Sequence, residues 1–262
     1  MKIGLCEKDL RGTLRENLEW MSANGFEGYQ LWRGKLDAAG MSPDDLLALS
    51  AELGLDVTAV GGGPNLVDPA VADESIALFR SFIDLAVALG CRIVTAESKR
   101  KPDGISDETA WQSTVATVKT ICRHAGECGA VLAIECSGGC FIRHHEDFLR
   151  LAEAVDSPTL KVNMDPANIV LAHRDVLEAV RALAPYIVHT HAKDIARADT
   201  DDEPARDVPA GEGLVGYPAY LAALKEIGYD GWLTIEMHAG QADRREDILT
   251  SAANLRRMLA QL

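Results

Sequence analysis

The sequence lacks the features that mark several common classes of protein. No run approaches the roughly 18 consecutive apolar residues of a membrane-spanning helix. The N-terminal stretch MKIGLCEKDLRG carries charges where a signal peptide has its apolar region. The six cysteines include no Cys-x-x-Cys pair, so neither a zinc knuckle nor a thioredoxin-type redox pair is indicated. We therefore expect a soluble, cytoplasmic protein whose cysteines are mainly small core residues.

Basic residues are also scarce. The chain has 26 Lys and Arg residues against 40 Asp and Glu residues, which gives a formal net charge of −14. A surface with this excess of carboxylates repels polyanions, so the composition argues against nucleic acid and anionic membranes as partners. A small-molecule ligand is the partner that the composition favours.

The 262 residues instead contain eight short runs of apolar or β-branched residues. Segments whose apolar residues have helical spacing lie between consecutive runs, and these segments end in glycine-containing motifs such as AELGLD and VALGCR. The runs lie at 3–5, 28–31, 57–60, 92–96, 131–134, 160–164, 186–190 and 232–235. This alternation predicts an α/β fold, a single (β/α)₈ TIM barrel that spans residues 1–262 as one domain, with a doubly wound sheet as the weaker alternative.

Two connections that follow strands are long and charged. They are ESKRKPDGISDE at 97–108 and the segment from 193 to 218. Connections of such length in a barrel domain are usually functional, and the strand-to-helix loops of a TIM barrel carry the chemistry. We expect both to flank an active site, although a solvated acidic loop would also explain the second.

Residues that bind metals occur at the ends of four successive runs. They are Glu135 in LAIE, Asp165 in VNMD, His191 in VHTH and Glu236 in LTIE. In a barrel these ends meet near the axis, where three unpaired carboxylates would repel one another unless a positive charge lay between them. Three oxygen ligands and one imidazole suit Mn²⁺, Mg²⁺ or Co²⁺ best, and they are also compatible with Zn²⁺ or Fe²⁺.

Further polar residues near these strand ends are candidates for contacts with a substrate. His189 shares the inward face with His191 one layer lower, and a purely structural, hydrogen-bonded histidine is the alternative. His238 follows Glu236 by two residues and is a candidate proton shuttle, or else an ordinary loop histidine. Lys193 and Glu97 are placed to face the same site.

The order of several motifs resembles the xylose isomerase-like TIM-barrel superfamily over nearly the whole chain. The motifs are GFEGYQLW, LAIE, VNMDPANI, VHTHAKD and VPAGEGLVGYPAYLAALKEIGYDGWLTIE. That superfamily includes ketose 3-epimerases, inosose dehydratases and isomerases, and 3-dehydroshikimate dehydratases, and its members are often homo-oligomers. The resemblance implies one divalent ion, usually manganese, cobalt or magnesium, held by Glu135, Asp165, His191 and Glu236. It also implies that the two glutamates are the catalytic acid/base pair and that Arg197 contacts a substrate oxygen.

Three positions depart from the epimerase pattern. Asn168 stands where those enzymes have a histidine, and we expect it to contact the substrate in its place. Phe141 stands where they have a glutamate, and Gln30 where family members often have Glu. These differences put a free-ketose 3-epimerase in doubt but leave the expected ligand set complete.

The residues thus predict a divalent-metal-dependent isomerase or epimerase of a small keto-sugar or polyol-derived ketone. The alternative is a metal-dependent dehydratase acting on an inosose-like or dehydroshikimate-like substrate, because proton abstraction beside a polarised carbonyl starts both reactions. An abasic-site endonuclease would need more histidines than this sequence places at its strand ends. Cationic residues at 99–101 and 143–145 leave open whether the substrate is anionic.

Overall fold

The computed structural model describes residues 1–197, 205–237 and 243–262 and contains a closed barrel of eight parallel strands. The described strands are β1 (Lys2–Cys6), β2 (Gly28–Trp32), β3 (Asp56–Gly61), β4 (Ile93–Glu97), β5 (Val131–Glu135), β6 (Leu160–Met164), β7 (Ile187–Ala192), β8 (Asp194–Ala196), β9 (Arg206–Val208) and β10 (Trp232–Ile235). All of these except β8 and β9 form the barrel, which β1 and β10 close with Lys2 opposite Trp232. The predicted (β/α)₈ barrel is confirmed.

Helices surround the barrel. They are α1 (Leu14–Ala23), α2 (Arg33–Ala39), α3 (Pro43–Leu53), α4 (Ala72–Ala88), α5 (Asp107–Glu127), α6 (His145–Val155), α7 (Pro166–Leu171), α8 (Val176–Leu183), α9 (Tyr217–Glu226) and α10 (Arg245–Leu259). Short 3₁₀ turns cover Glu7–Asp9 and Pro69–Val71. None of the helices in the described part of the chain has both the length and the apolar character needed to cross a bilayer.

Local sequence signals set the helix ends. Thr13 and Glu16 form a capping box at the start of α1, in which each side chain bonds the other residue's backbone N–H. Gly54 follows α3 with a φ of 67°, a left-handed conformation that costs glycine little and turns the chain toward β3. Such caps explain why the helices and strands lie close to the segments that periodicity predicts.

The apolar core fills the space between the strands and the surrounding helices. Leu5, Leu31, Phe79 and Phe148 are fully buried there. The core also buries Tyr29, whose hydroxyl is hydrogen-bonded to the Ser50 hydroxyl at 2.8 Å. This packing fixes the strands and therefore the side chains at their C-terminal ends.

The long connection after β7 contains an element that the sequence did not reveal. Strands β8 and β9 pair antiparallel, with Asp194 opposite Val208. The Asp194 carboxylate accepts hydrogen bonds from the backbone N–H groups of Gly211, Gly213 and Val215 at 2.9 to 3.1 Å. A Cβ atom at Gly213 would collide with the Asp194 side chain, so glycine is required there. Asp194 thereby holds the described part of this connection against the mouth of the barrel.

Candidate active site

Four side chains converge at the C-terminal mouth of the barrel. Glu135 ends β5, Asp165 directly follows β6, His191 lies in β7 and Glu236 directly follows β10. Each offers one oxygen or nitrogen atom, and these atoms all lie within 4.8 Å of one another. All four residues are buried. The structure thus brings together the complete set that the sequence singled out.

The imidazole of His191 presents one nitrogen to the carboxylates. Its Nδ1 lies 3.1 Å from Glu135 Oε2 and 3.5 Å from Glu236 Oε2. Its Nε2 lies 3.0 Å from Gln30 Oε1, to which it donates when the ring is neutral. A carbonyl partner on the far nitrogen fixes both the tautomer and the orientation of a ligating histidine. Gln30, a departure from the family pattern, therefore directs Nδ1 toward the carboxylates.

Two asparagines hold the carboxylates in place. The Asn168 amide donates to Glu135 Oε1 at 2.8 Å and to Asp165 Oδ2 at 3.1 Å. The Asn163 amide donates to Glu135 Oε2 at 2.8 Å. The other oxygen of Asp165 caps helix α7 by accepting from the Ala167 N–H at 2.8 Å. Asn168 thus lines the site as expected, and it also orients two members of the ligand set.

Two lysines lie against Glu236. Lys193 Nζ is 3.4 Å from Glu236 Oε2 and 3.8 Å from Asp165 Oδ2. Lys8 Nζ is 2.9 Å from Glu236 Oε1 and 3.3 Å from Asp9 Oδ1. The sequence reasoning missed Lys8, although the charged triplet Glu7-Lys8-Asp9 directly after the first strand was a usable signal. Lys8 and Lys193 hold opposite oxygens of one carboxylate.

The electrostatics of the cluster reflect burial opposed by nearby charges. Burial raises the pKa of Asp165 to about 7, with Lys193 only partly opposing it. Burial also disfavours ionisation of Glu236, but His191, Lys8 and Lys193 outweigh it and hold that pKa well below its usual range. The pKa of His191 is lowered by burial and raised more strongly by Glu236 and Glu135, so it lies well above its usual value. Within the cluster, Glu236 therefore ionises readily and Asp165 does not.

A second, neutral polar layer lies directly below. The His189 Nδ1–H donates to Asn163 Oδ1 at 2.8 Å, and His189 Nε2 accepts from the Thr234 hydroxyl at 2.9 Å. Burial lowers the pKa of His189 well below its usual value, so this ring is neutral. His189 has no exposed surface and is absent from the described cavity lining, which favours the structural, hydrogen-bonded histidine over the substrate contact that the sequence also left open. It acts on the upper layer through Asn163.

A cavity of about 330 Å³ opens above the cluster. Its lining includes Trp32 and Glu97, and the Glu97 carboxylate pairs with Lys99 Nζ at 2.9 Å. Arg197 is exposed and is absent from the described lining, so the structure does not place it at the cluster. His238 lies outside the described residues.

The cationic residues of the two flanking loops have partners of their own. Lys101 Nζ lies 2.5 Å from Asp107 Oδ1, and Arg143 Nε donates to the Cys140 carbonyl at 3.0 Å. Of the six cationic positions at 99–101 and 143–145, Lys99 alone belongs to the described cavity lining. These loops therefore do not gather a cationic pocket within the described part of the chain.

Comparison with known proteins agrees with this architecture. Residues 18–258 match the family model described as xylose isomerase-like TIM barrel, and the chain belongs to that family. An inosose dehydratase from Lacticaseibacillus casei is 22% identical over 188 residues, which cover 63% of this chain and 63% of that protein. A putative L-ribulose-5-phosphate 3-epimerase from Haemophilus influenzae is 22% identical over 99% of this chain and 96% of its own length.

Solved structures with low sequence identity share the fold. A fusion protein of a xylose isomerase-like TIM barrel and a 4-hydroxyphenylpyruvate dioxygenase has a TM-score of 0.85 at 22% identity, over 100% of this chain and 43% of the fusion. The IOLI protein, crystallised with a zinc atom, has a TM-score of 0.84 at 20% identity, over 100% of this chain and 99% of its own. The matched region of this chain covers less than two thirds of the length of the inosose dehydratase and less than two thirds of the length of the fusion protein.

Proposed function

We propose that this protein is a divalent-metal-dependent isomerase or epimerase of a small keto-sugar or polyol-derived ketone. The observation that carries the proposal is the convergence of Glu135, Asp165, His191 and Glu236 at the barrel mouth within 4.8 Å of one another. The C-terminal ends of the strands are where TIM-barrel enzymes place their chemistry.

The residues present fit a divalent cation. Three carboxylates and one imidazole offer hard and borderline ligands, and His191 turns Nδ1 toward them while Gln30 holds its other nitrogen. Burial and the neighbouring carboxylates Glu135 and Glu236 raise the pKa of Asp165 although Lys193 opposes them, and a bound cation would favour its ionised form. Manganese, magnesium and cobalt suit this set best, and the zinc in the related IOLI structure keeps zinc among the candidates.

A divalent ion at this position would polarise a substrate carbonyl and stabilise the negative charge that develops on its oxygen. Glu135 and Glu236 border the cavity and are candidates for removing the proton from the adjacent carbon and for returning one. Return to the opposite face of that carbon gives epimerisation, and return to the neighbouring carbon gives isomerisation. Asn163, Asn168 and Lys8 keep the two carboxylates in fixed orientations.

The charge pattern of the cavity supports an uncharged substrate. Three lysines line its described part, and each is paired with a carboxylate: Lys8 with Glu236, Lys99 with Glu97, and Lys193 with Asp165 and Glu236. A phosphate or carboxylate on the substrate would have to break one of these pairs to obtain a partner. A neutral polyhydroxy ketone needs only hydrogen bonds, which these groups supply.

A dehydratase is the second candidate, because the inosose dehydratase relative retains detectable similarity. In that reaction the same proton abstraction is followed by loss of the hydroxyl group on the next carbon. The residues of the cluster serve both outcomes equally, so the product distinguishes the two.

Proton exchange tests the proposal directly. The Mn²⁺-loaded protein is incubated in D₂O with a panel of ketoses, keto-inositols and 3-dehydroshikimate, and deuterium uptake and product mass are followed by NMR and mass spectrometry. We expect metal-dependent uptake into an uncharged ketone with no loss of water. Loss of water would instead establish the dehydratase, and exchange that survives complete removal of metal by EDTA would contradict both mechanisms.

A further inference from the structure

A second group of metal-binding side chains lies on the outer helical layer. Asp84 belongs to α4, His124 to the last turn of α5, and Cys128 caps the C-terminus of α5. Because β5 begins three residues later, at Val131, this group lies at the end of the barrel opposite to the mouth. It is therefore separate from the cluster of the proposed active site.

The three potential ligand atoms are in mutual contact. His124 Nε2 lies 2.9 Å from Asp84 Oδ1 and 3.7 Å from Cys128 Sγ, and Cys128 Sγ lies 3.9 Å from Asp84 Oδ1. Zinc bonds of about 2.0–2.3 Å in a tetrahedron separate neighbouring ligands by roughly 3.3–3.6 Å. The observed distances bracket this range, so shifts of a few tenths of an ångström would bring the atoms into coordination.

The sequence and the helix geometry explain the convergence. His124 and Cys128 are four residues apart, so they project from one face of α5. That face packs beside α4, from which Asp84 reaches across. The thiol of Cys128 is free, and its side chain is partly exposed. Two helices therefore present three ligands without a change in backbone.

The surroundings favour a cation. Glu127 Oε2 lies 3.9 Å from His124 Nδ1, the nitrogen that does not face Asp84 and Cys128. This separation is too long for a hydrogen bond, so Glu127 contributes a nearby negative charge that favours a bound cation. The side chain of Asp84 is 63% exposed, so an ion would have access from solvent and room for a water molecule as fourth ligand.

We infer that Asp84, His124 and Cys128 form a second metal site, which takes zinc and bridges helices α4 and α5. The thiolate selects zinc over manganese and magnesium, which prefer oxygen ligands. Binding to the folded chain alone raises its stability by mass action, so zinc increases the melting temperature through this site independently of catalysis.

Cobalt substitution tests the inference with a readout that activity does not supply. A thiolate bound to Co²⁺ gives an intense charge-transfer band in the near ultraviolet, whereas oxygen and nitrogen ligands do not. Wild-type protein, Cys128→Ser, His124→Ala and the control Cys91→Ser are titrated with Co²⁺ after removal of bound metal. We expect the band in the wild type and Cys91→Ser, its loss in Cys128→Ser and its weakening in His124→Ala.

Cys6 provides the decisive comparison, because its Sγ lies 3.7 Å from His191 Nε2 in the barrel. A band that disappears in Cys6→Ser would place the bound thiolate at the mouth and overturn the inference, as would absence of the band in the wild type. Persistence of the band in Glu236→Gln would show that the outer site does not depend on the proposed active site. Circular dichroism confirms that each variant is folded.

Discussion

The barrel interior contains two adjacent polar layers that differ in charge. The upper layer, at the mouth, holds the ionisable residues Glu135, Asp165, His191 and Glu236, and burial and mutual charge shift the pKa values of Asp165 and Glu236 in opposite directions. The lower layer holds Asn163, His189 and Thr234, which satisfy one another as neutral hydrogen-bonding groups. Asn163 joins the layers, since its oxygen accepts from His189 and its amide donates to Glu135.

The difference indicates a division of work between the layers. Buried charged groups are costly even when paired, and strongly shifted pKa values are typical of functional sites, so the upper layer fits the proposed chemistry better than a role in stability. In the lower layer, both ring nitrogens of His189 have hydrogen-bond partners. This layer is therefore a rigid support that orients the groups above it. We therefore expect changes in the upper layer to affect reaction rate and metal binding, changes at Asn163 to affect metal affinity, and changes elsewhere in the lower layer to affect mainly stability.

The largest effect is expected from the glutamates of the upper layer. We expect Glu135→Gln and Glu236→Gln each to lower metal-dependent deuterium exchange by about 10²–10⁴-fold, because an amide cannot accept the substrate proton. NMR under saturating metal measures the rate. Glu19→Gln, which changes an exposed glutamate on α1, is the matched control and should retain the wild-type activity. Wild-type exchange rates in both Glu135→Gln and Glu236→Gln would refute the acid/base assignment.

A buried carboxylate outside both layers tests the cost of unpaired charge. Burial raises the pKa of Glu7 from 4.5 to about 7, and Glu7 Oε1 has no hydrogen-bond partner among the described residues. The folded state therefore holds a proton that the unfolded state releases between these values, so stability falls as pH rises from about 4.5 to 7. We therefore expect Glu7→Gln to raise the free energy of unfolding above that of the wild type by about 3 kcal/mol at pH 8 and to change it little at pH 4.5.

Urea unfolding at several pH values measures this difference. The exposed Glu19→Gln on α1 is the control, and its stability should follow the wild type at every pH. If the wild type and Glu7→Gln lose stability in parallel with rising pH, burial does not hold the proton on Glu7.

The residue that joins the two layers should have an intermediate effect. Asn163→Ala removes the partners of His189 Nδ1 and Glu135 Oε2. We expect metal affinity to fall by about 10–100-fold, as for other groups that orient metal ligands. Isothermal titration calorimetry measures the affinity. Asn17→Ala, which removes a buried asparagine bonded to the Glu7 carbonyl, should cost stability without changing affinity. If the two variants bind metal with equal affinity, Asn163 does not link the lower layer to the metal-binding groups.

The smallest effect is expected within the lower layer. Thr234→Val removes a hydroxyl that donates to His189 Nε2 at 2.9 Å, while the Thr58 hydroxyl remains 3.4 Å from the same nitrogen. Because a second partner is available, we expect a loss of about 1 kcal/mol in the free energy of unfolding and unchanged metal affinity. Chemical denaturation measures the first quantity. A change in affinity as large as that of Asn163→Ala would mean that the lower layer acts as one unit.

The barrel could be predicted well from the sequence because it depends on two kinds of local signal, hydrophobic periodicity and helix-end residues. Apolar runs alternate with amphipathic segments, and residues such as Thr13 and Gly54 mark the ends of helices. The short strands β8 and β9 escaped this reasoning, since three residues show no usable periodicity and their pairing depends on Asp194 and a distant glycine turn. Arg197 illustrates the same limit, because its expected place rested on an offset inside this connection.

The sequence by itself determined the proposed ligand set, because strand parity and position at the C-terminal end of each run suffice to bring Glu135, Asp165, His191 and Glu236 to one mouth. The tertiary structure alone decided which groups support them. Gln30 in β2 and Lys8 just after β1 are far from His191 and Glu236 in the chain, and they reach them only because closure of the barrel places β1 between β2 and β10. Contacts of this kind depend on side-chain directions across the barrel, which no local pattern records.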